Sequence, residues 1–223
     1  MHLENIRENQ AGRFDRYVIG SLIIVFTFFV AQLPHIFAVI NAVGIGQLDS
    51  LDIAGILQAL PPNTTLVLML LPFAVVAVLV LGIIRKLHHI SIRAFITSRT
   101  KIDWKRITFA FGSIVLLNFL FFVISYFSNP SDFQWNFDPQ AFAILFLIAI
   151  VLVPLQTSAE ELFFRGYLIQ GFGQVFKHRI FPLLITSLMF GLMHFGNPEI
   201  DKLGPLLMVS YVSMGFFFGI ITL

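Results

Sequence analysis

The sequence predicts an all-α, polytopic membrane helix bundle, and three observations carry that reading. Apolar residues fill 57% of the 223 positions and charged residues only 12%, against roughly 25% charged in a typical soluble domain. The apolar residues fall in runs of about 20, the length a helix needs to cross a roughly 30 Å hydrocarbon core. Lys and Arg gather in alternate connecting segments, the asymmetry expected of a multi-pass chain. Ten-residue alternating segments of the outer-membrane-barrel kind do not occur, so backbone groups inside the bilayer must be satisfied within helices.

Six spans follow in order, at 17–43, 65–84, 107–127, an unusually long 140–170, 180–197 and 204–223. The opening MHLENIRENQAGRFDR mixes both charge signs, and the apolar run behind it is too long for a signal-peptide core and lacks a clear cleavage site; the first helix is therefore retained. Arg7, Arg13 and Arg16 precede span one, seven Lys and Arg residues lie within 85–106, and Lys177 and Arg179 separate spans four and five. Loops 44–64 and 128–139 carry Asp49, Asp52, Asp132 and Asp138 but no Lys or Arg. The positive-inside rule then places residues 1–16 in the cytoplasm of a multi-pass protein of the cell (inner) membrane. Residues 1–223 read as one membrane domain without internal repeat. Segment 85–106 reads either as a basic amphipathic stretch on the cytoplasmic leaflet, with Ile90, Ile92, Phe95, Ile96 and Trp104 available to dip into it, or equally as a solvated loop obeying the positive-inside rule. The absence of cysteine excludes disulfides, thiol catalysis and cysteine metal sites. The expected partner at this level is the lipid bilayer, not nucleic acid.

Chemistry concentrates in SAEELFFRG, Ser158 to Gly166, where three charges interrupt an apolar span. Each charge at a helix centre costs roughly 2.5–3.5 kcal/mol on insertion scales, and a Leu or Phe offsets only about 0.3–0.6 kcal/mol. Glu161 and Arg165 are four apart, acid before base, and can pair along one face. Glu160, rotated about 100° away, lacks that partner and continues a polar stripe from Gln156 and Thr157. A snorkelling ion pair would explain Arg165 better than it explains two adjacent glutamates, and an unpaired intramembrane carboxylate reads as functional. Span five carries a single ionisable residue, His194, four after Phe190. Lys177 lies 17 residues after Glu160 and 17 before His194, so a hairpin turning there brings both side chains to one depth. Gly171 and Gly173 are candidate helix breakers just ahead of that turn. A desolvated carboxylate beside an imidazole is general-base chemistry toward water. Zinc is the rival use of Glu160, Glu161 and His194, but hydrolytic zinc takes three protein ligands and no H-E-x-x-H occurs. We therefore expect no cofactor, with Zn as the alternative. Asn118 reads as a hydrogen-bonding glue between helices, His35 as a kink-side residue after Pro34, and His88 and His89 as interface residues.

E-E-x-x-x-R at Glu160, Glu161 and Arg165, followed by F-x-x-x-H at Phe190 and His194, resembles the CPBP family of type II CAAX prenyl endopeptidases and Abi, or bacteriocin-immunity-related, intramembrane proteases. The resemblance covers about residues 140–223. It implies an intramembrane endopeptidase in which Glu160 is the base, His194 shares the proton of the attacking water, Glu161 and Arg165 brace the site, and Phe190 packs beside it. The substrate implied is a membrane-associated, prenylated CAAX-like or leader peptide. The resemblance also implies a third motif, H-x-x-x-N or H-x-x-x-D, to stabilise the oxyanion. No histidine follows His194, so the expectation is a longer native protein with further helices and a 223-residue chain inactive by itself. The competing readings are a non-catalytic immunity or scaffold protein of the same fold and, less favoured for want of an inverted repeat, a small transporter.

Overall fold

The computed structural model describes residues 13–97 and 99–222; Arg7 with the rest of 1–12, Ser98 and Leu223 lie outside the described residues. The described secondary structure is helical throughout. Helix α1 spans Phe14–Ala31 and α2 Leu33–Val43. They form one apolar span bent at Gln32, where Pro34 cannot supply the amide that a continuous helix needs. His35 is buried on the kink side. A 3₁₀ turn, Ile45–Ser50, and a short α3, Ile53–Gln58, lead into α4, Pro62–Lys86. The short α5, Ile92–Ile96, precedes α6, Trp104–Ser128, and a 3₁₀ turn at Pro130–Asp132. Helix α7, Pro139–Glu160, then runs without interruption into a π-helix, Glu161–Leu168, and on into α8, Ile169–Val175. Helix α9, Ile180–Met193, α10, Pro198–Leu203, and α11, Leu207–Thr222, complete the described chain.

Among the described residues, four segments are long and apolar enough to cross a bilayer: Phe14–Val43, Pro62–Lys86, Trp104–Ser128 and Pro139–Val175. They make the chain an integral membrane helix bundle. The fifth and sixth expected spans are shorter than their apolar runs, because α9 has 14 residues and α11 has 16. At the end of α9 the His194 side chain binds back to the Phe190 carbonyl, and Pro198 disfavours helical backbone at Asn197. At the start of α11, Gly204 turns the chain at φ 87°, a left-handed value that suits glycine. Gly171 and Gly173 do not break their helix, which continues to Val175. Gly171 instead lies against Tyr17, where a Cβ would come within 3.0 Å of the Tyr17 Cβ.

Asp52 and Asp138, read from sequence only as loop acids, are N-caps. Asp52 accepts from the Gly55 amide at 2.7 Å, and Asp138 from those of Gln140 and Ala141 at 2.9 and 3.0 Å, satisfying donors that a helix start leaves orphaned. Helix α4 packs on α1 and α7, and α9 packs on α11. The second pairing uses small residues four apart on both sides, Ser187 with Gly191 and Gly215 with Gly219. A side chain at Gly191 would overlap Val212, and one at Gly219 would overlap Leu183. Small residues allow this approach where lipid offers no hydrophobic drive for helix association. Helix α6 has no buried residue. Asn118 is exposed on it and donates to the Ile114 carbonyl one turn back, at 2.9 Å, so among the described residues it is not a helix–helix glue.

The basic segment differs from expectation in the same way. Phe95 does not dip into the leaflet; it is 2% exposed and packs against Gly166, where a Cβ would meet its ring at 2.7 Å. His88 is likewise buried. The Tyr167 hydroxyl donates to the Arg16 carbonyl at 3.2 Å and accepts from His88 Nε2 at 2.9 Å, while Arg16 Nη1 donates to the Leu87 carbonyl at 3.0 Å. The Tyr17 ring lies 4.2 Å from that of His88 and 5.0 Å from that of Tyr167. This cluster fastens the start of α1 and the end of α4 to the π-helix, two residues after Arg165.

Burial, followed by the Arg16 and Arg13 charges, pushes the His88 imidazole down to about 4. The unfolded chain therefore binds the extra proton first, near its ordinary value of about 6.5. The stabilisation is complete above that value and is lost as pH falls toward 4. Melting temperature in detergent should drop by several degrees between pH 7 and pH 4.5, and His88→Gln should remove a measurable part of that slope. A slope identical in the variant would show that His88 does not carry it.

Candidate active site

The residues of the two sequence motifs come together where the π-helix faces α9 and α11. Glu160 closes α7 and is half-buried. Gln156, one turn earlier, donates its Nε2 to Glu160 Oε1 at 3.3 Å. Thr157, expected in the same polar stripe, instead donates to the Pro154 carbonyl at 3.2 Å. Glu161 opens the π-helix, and its Oε1 lies 3.1 Å from Arg165 Nη1. The pair is lopsided, because the Arg165 side chain is 3% exposed and that of Glu161 46%. Neither Nη of Arg165 makes an aligned hydrogen bond among the described residues. The guanidinium lies over the Phe190 ring, 4.0 Å from its centroid, with Phe218 farther off at 5.9 Å. A cation in an apolar surrounding is attracted to such ring faces.

The F-x-x-x-H spacing acquires a physical meaning. His194 follows the last residue of α9, and its Nδ1 lies 2.8 Å from the carbonyl of Phe190, four residues back. A carbonyl can only accept, so Nδ1 carries a proton, and in the neutral tautomer so defined the lone pair is on Nε2. Phe190 thus serves His194 through its carbonyl and Arg165 through its ring. Its own ring is also 4.6 Å from that of His194 and meets Phe164 edge-on at 5.4 Å. The His194 imidazole stands within electrostatic reach of the Glu160 carboxylate. Glu160, Glu161, Arg165, Phe190 and His194 therefore form one continuous neighbourhood. Glu160, Glu161 and His194 do not converge as a metal-binding group, and no other three His, Cys, Asp or Glu side chains do so among the described residues.

Two groups in this neighbourhood are not visible from the motifs. Tyr211, on α11, stacks on His194 with ring centroids 4.4 Å apart and 24° between planes. Its hydroxyl donates a short hydrogen bond to Glu199 Oε1. Asn197 Nδ2 reaches Glu199 Oε1 at 3.2 Å and the Tyr211 hydroxyl at 3.3 Å. The Tyr211 hydrogen bond holds the Glu199 carboxyl below the usual range, which keeps it charged at neutral pH. The signal in the sequence was N-x-E three residues beyond the motif histidine, together with a lone tyrosine in the following apolar run.

A carboxylate, an imidazole and a buried guanidinium thus gather where the π-helix meets α9 and α11 of a polytopic helical membrane protein. The family model for type II CAAX prenyl endopeptidase Rce1-like proteins matches residues 139–223, the stretch that carries both motifs. The uncharacterized protein YyaK of Bacillus subtilis (strain 168) is 31% identical over 207 residues, covering 90% of this chain and 67% of YyaK. No solved structure matches. The chain belongs to the type II CAAX prenyl endopeptidase Rce1-like family.

Proposed function

We propose that the protein is an intramembrane endopeptidase that hydrolyses a peptide bond of a membrane-associated, prenylated CAAX-type peptide. The observation that carries this reading is a half-buried Glu160 carboxylate within electrostatic reach of the His194 imidazole, whose Nδ1 is held by the Phe190 carbonyl. Glu160 removes a proton from a water that His194 Nε2 orients. The resulting hydroxide adds to the peptide carbonyl, and the proton is returned to the leaving amine as the tetrahedral intermediate collapses. General-base assistance of this kind contributes roughly 10²–10⁴-fold. Arg165 supplies positive charge beside the two carboxylates, and Glu161 balances it. A substrate with a lipid anchor suits a site set in a membrane helix, since a prenyl chain holds the peptide at the bilayer.

Mass spectrometry of a farnesylated C-a-a-X peptide incubated with the protein in nanodiscs tests the activity. With the H-x-x-x-N or H-x-x-x-D motif that the resemblance implies also present, a single new carboxyl terminus is expected and an intact peptide would contradict the reading, while cleavage by residues 1–223 alone would show that the two motifs suffice. We further propose a cytoplasmic N-terminus, from the Lys and Arg asymmetry. Single cysteines at Ser50 and Ser131 should then react with an impermeant reagent added outside cells, and those at Thr97 and Gln174 should not. External labelling of Gln174→Cys would invert the hairpin between α8 and α9.

A further inference from the structure

We propose that Tyr211, tethered by Glu199, is a positioning residue that fixes the plane of the His194 imidazole; this rests on the reading of His194 as part of the water-activating pair. His194 needs such support because of where the fold puts it. It follows the last turn of α9 with φ −95° and ψ 1°, so its backbone is outside the regular helical ladder. The Nδ1 bond to the Phe190 carbonyl sets the tautomer, and the Phe190 ring meets the imidazole only at a tilt of 48° and 4.6 Å, which leaves the imidazole plane some freedom. A nearly parallel aromatic ring at 4.4 Å removes that freedom.

Tyr211 is in turn fixed at its far end. Its hydroxyl donates to Glu199, and Asn197 donates toward both partners. The Asn197, Glu199 and Tyr211 side chains thus form a closed hydrogen-bonded set joining the turn after α9 to α11. Gly191 admits Val212, the neighbour of Tyr211, against α9, so the helix carrying Tyr211 is held close to the helix carrying His194.

Steady-state kinetics on the farnesylated C-a-a-X peptide separate positioning from structure and from failure of the site reading. Tyr211→Leu should lower kcat about 10–100-fold, the scale of a small misplacement of a reacting group, with KM within about twofold of wild type. Tyr211→Phe keeps the ring and should lower kcat only several-fold. Glu199→Gln should match Tyr211→Phe, and the combination should be no worse than either alone, because the two substitutions break one tether. If Tyr211→Leu does not fold in detergent, the Tyr211→Phe and Glu199→Gln pair carries the test. Wild-type kcat in Tyr211→Leu alongside an inactive His194→Ala would overturn the positioning role and leave the site reading intact; multiplying losses in the combined variant would also overturn it. Wild-type turnover by His194→Ala would remove both.

Discussion

Glu160→Gln should lower cleavage of the prenylated peptide by about 10²–10⁴-fold, the contribution of a positioned general base, while leaving the folded protein intact. The substitution is nearly isosteric and removes a charge that has no aligned cationic partner. Gln156 donates to Oε1, an interaction that an amide oxygen at the same position accepts as well. His194→Ala should cost a similar factor, because it removes the Nε2 lone pair. Near-normal turnover by Glu160→Gln, with Glu161→Gln inactive yet stable, would exchange the roles of the two glutamates.

Glu161→Gln should act first on stability. It leaves the Arg165 guanidinium buried without its counter-charge, a change worth roughly 3–5 kcal/mol when both partners are buried. With the Glu161 side chain 46% exposed, we expect about 2–3 kcal/mol, or a fall of about 5–10 °C in melting temperature for a chain of this size. The double variant Glu161→Gln/Arg165→Met should recover most of that loss, because an apolar side chain has no charge to leave uncompensated and still packs on the Phe190 face. An unchanged melting temperature in Glu161→Gln would mean that the pair contributes nothing to the fold and that the Phe190 ring alone accommodates Arg165.

These two expectations also mark how far the residues could be read before the fold was known. Composition and run length were sufficient for the membrane class. Local spacing was sufficient for the Glu161 and Arg165 pair, since contacts four apart on a helix need no tertiary information. Spacing placed Phe190 one turn from His194 and the resemblance implied that it packs beside the site, but their carbonyl-to-imidazole bond depends on the helix ending at Met193. The π-helix was not legible, because its i→i+5 bonding over Glu161–Leu168 is not encoded by any proline or glycine at its start; such segments recur at functional sites. Phe95 was read as dipping into the leaflet and His88 as an interface residue because their segment is basic, and only the approach of α1 and the π-helix buries them. Tyr211 and Glu199 were missed for a related reason. Their partnership with His194 crosses from the turn after α9 to α11, and the close α9–α11 approach that permits it rests on small residues, Ser187, Gly191, Gly215 and Gly219, whose meaning appears only when they face one another.

The account stands on Glu160 and His194 acting as one unit on one water, and a kinetic double-mutant cycle measures that most directly. Residues that form a single catalytic device lose little more together than apart. The kcat/KM of Glu160→Gln/His194→Ala on the farnesylated peptide in nanodiscs should therefore equal that of the weaker single variant within about threefold. A double variant whose loss is the product of the two single losses would contradict the account, because it would show the carboxylate and the imidazole contributing independently.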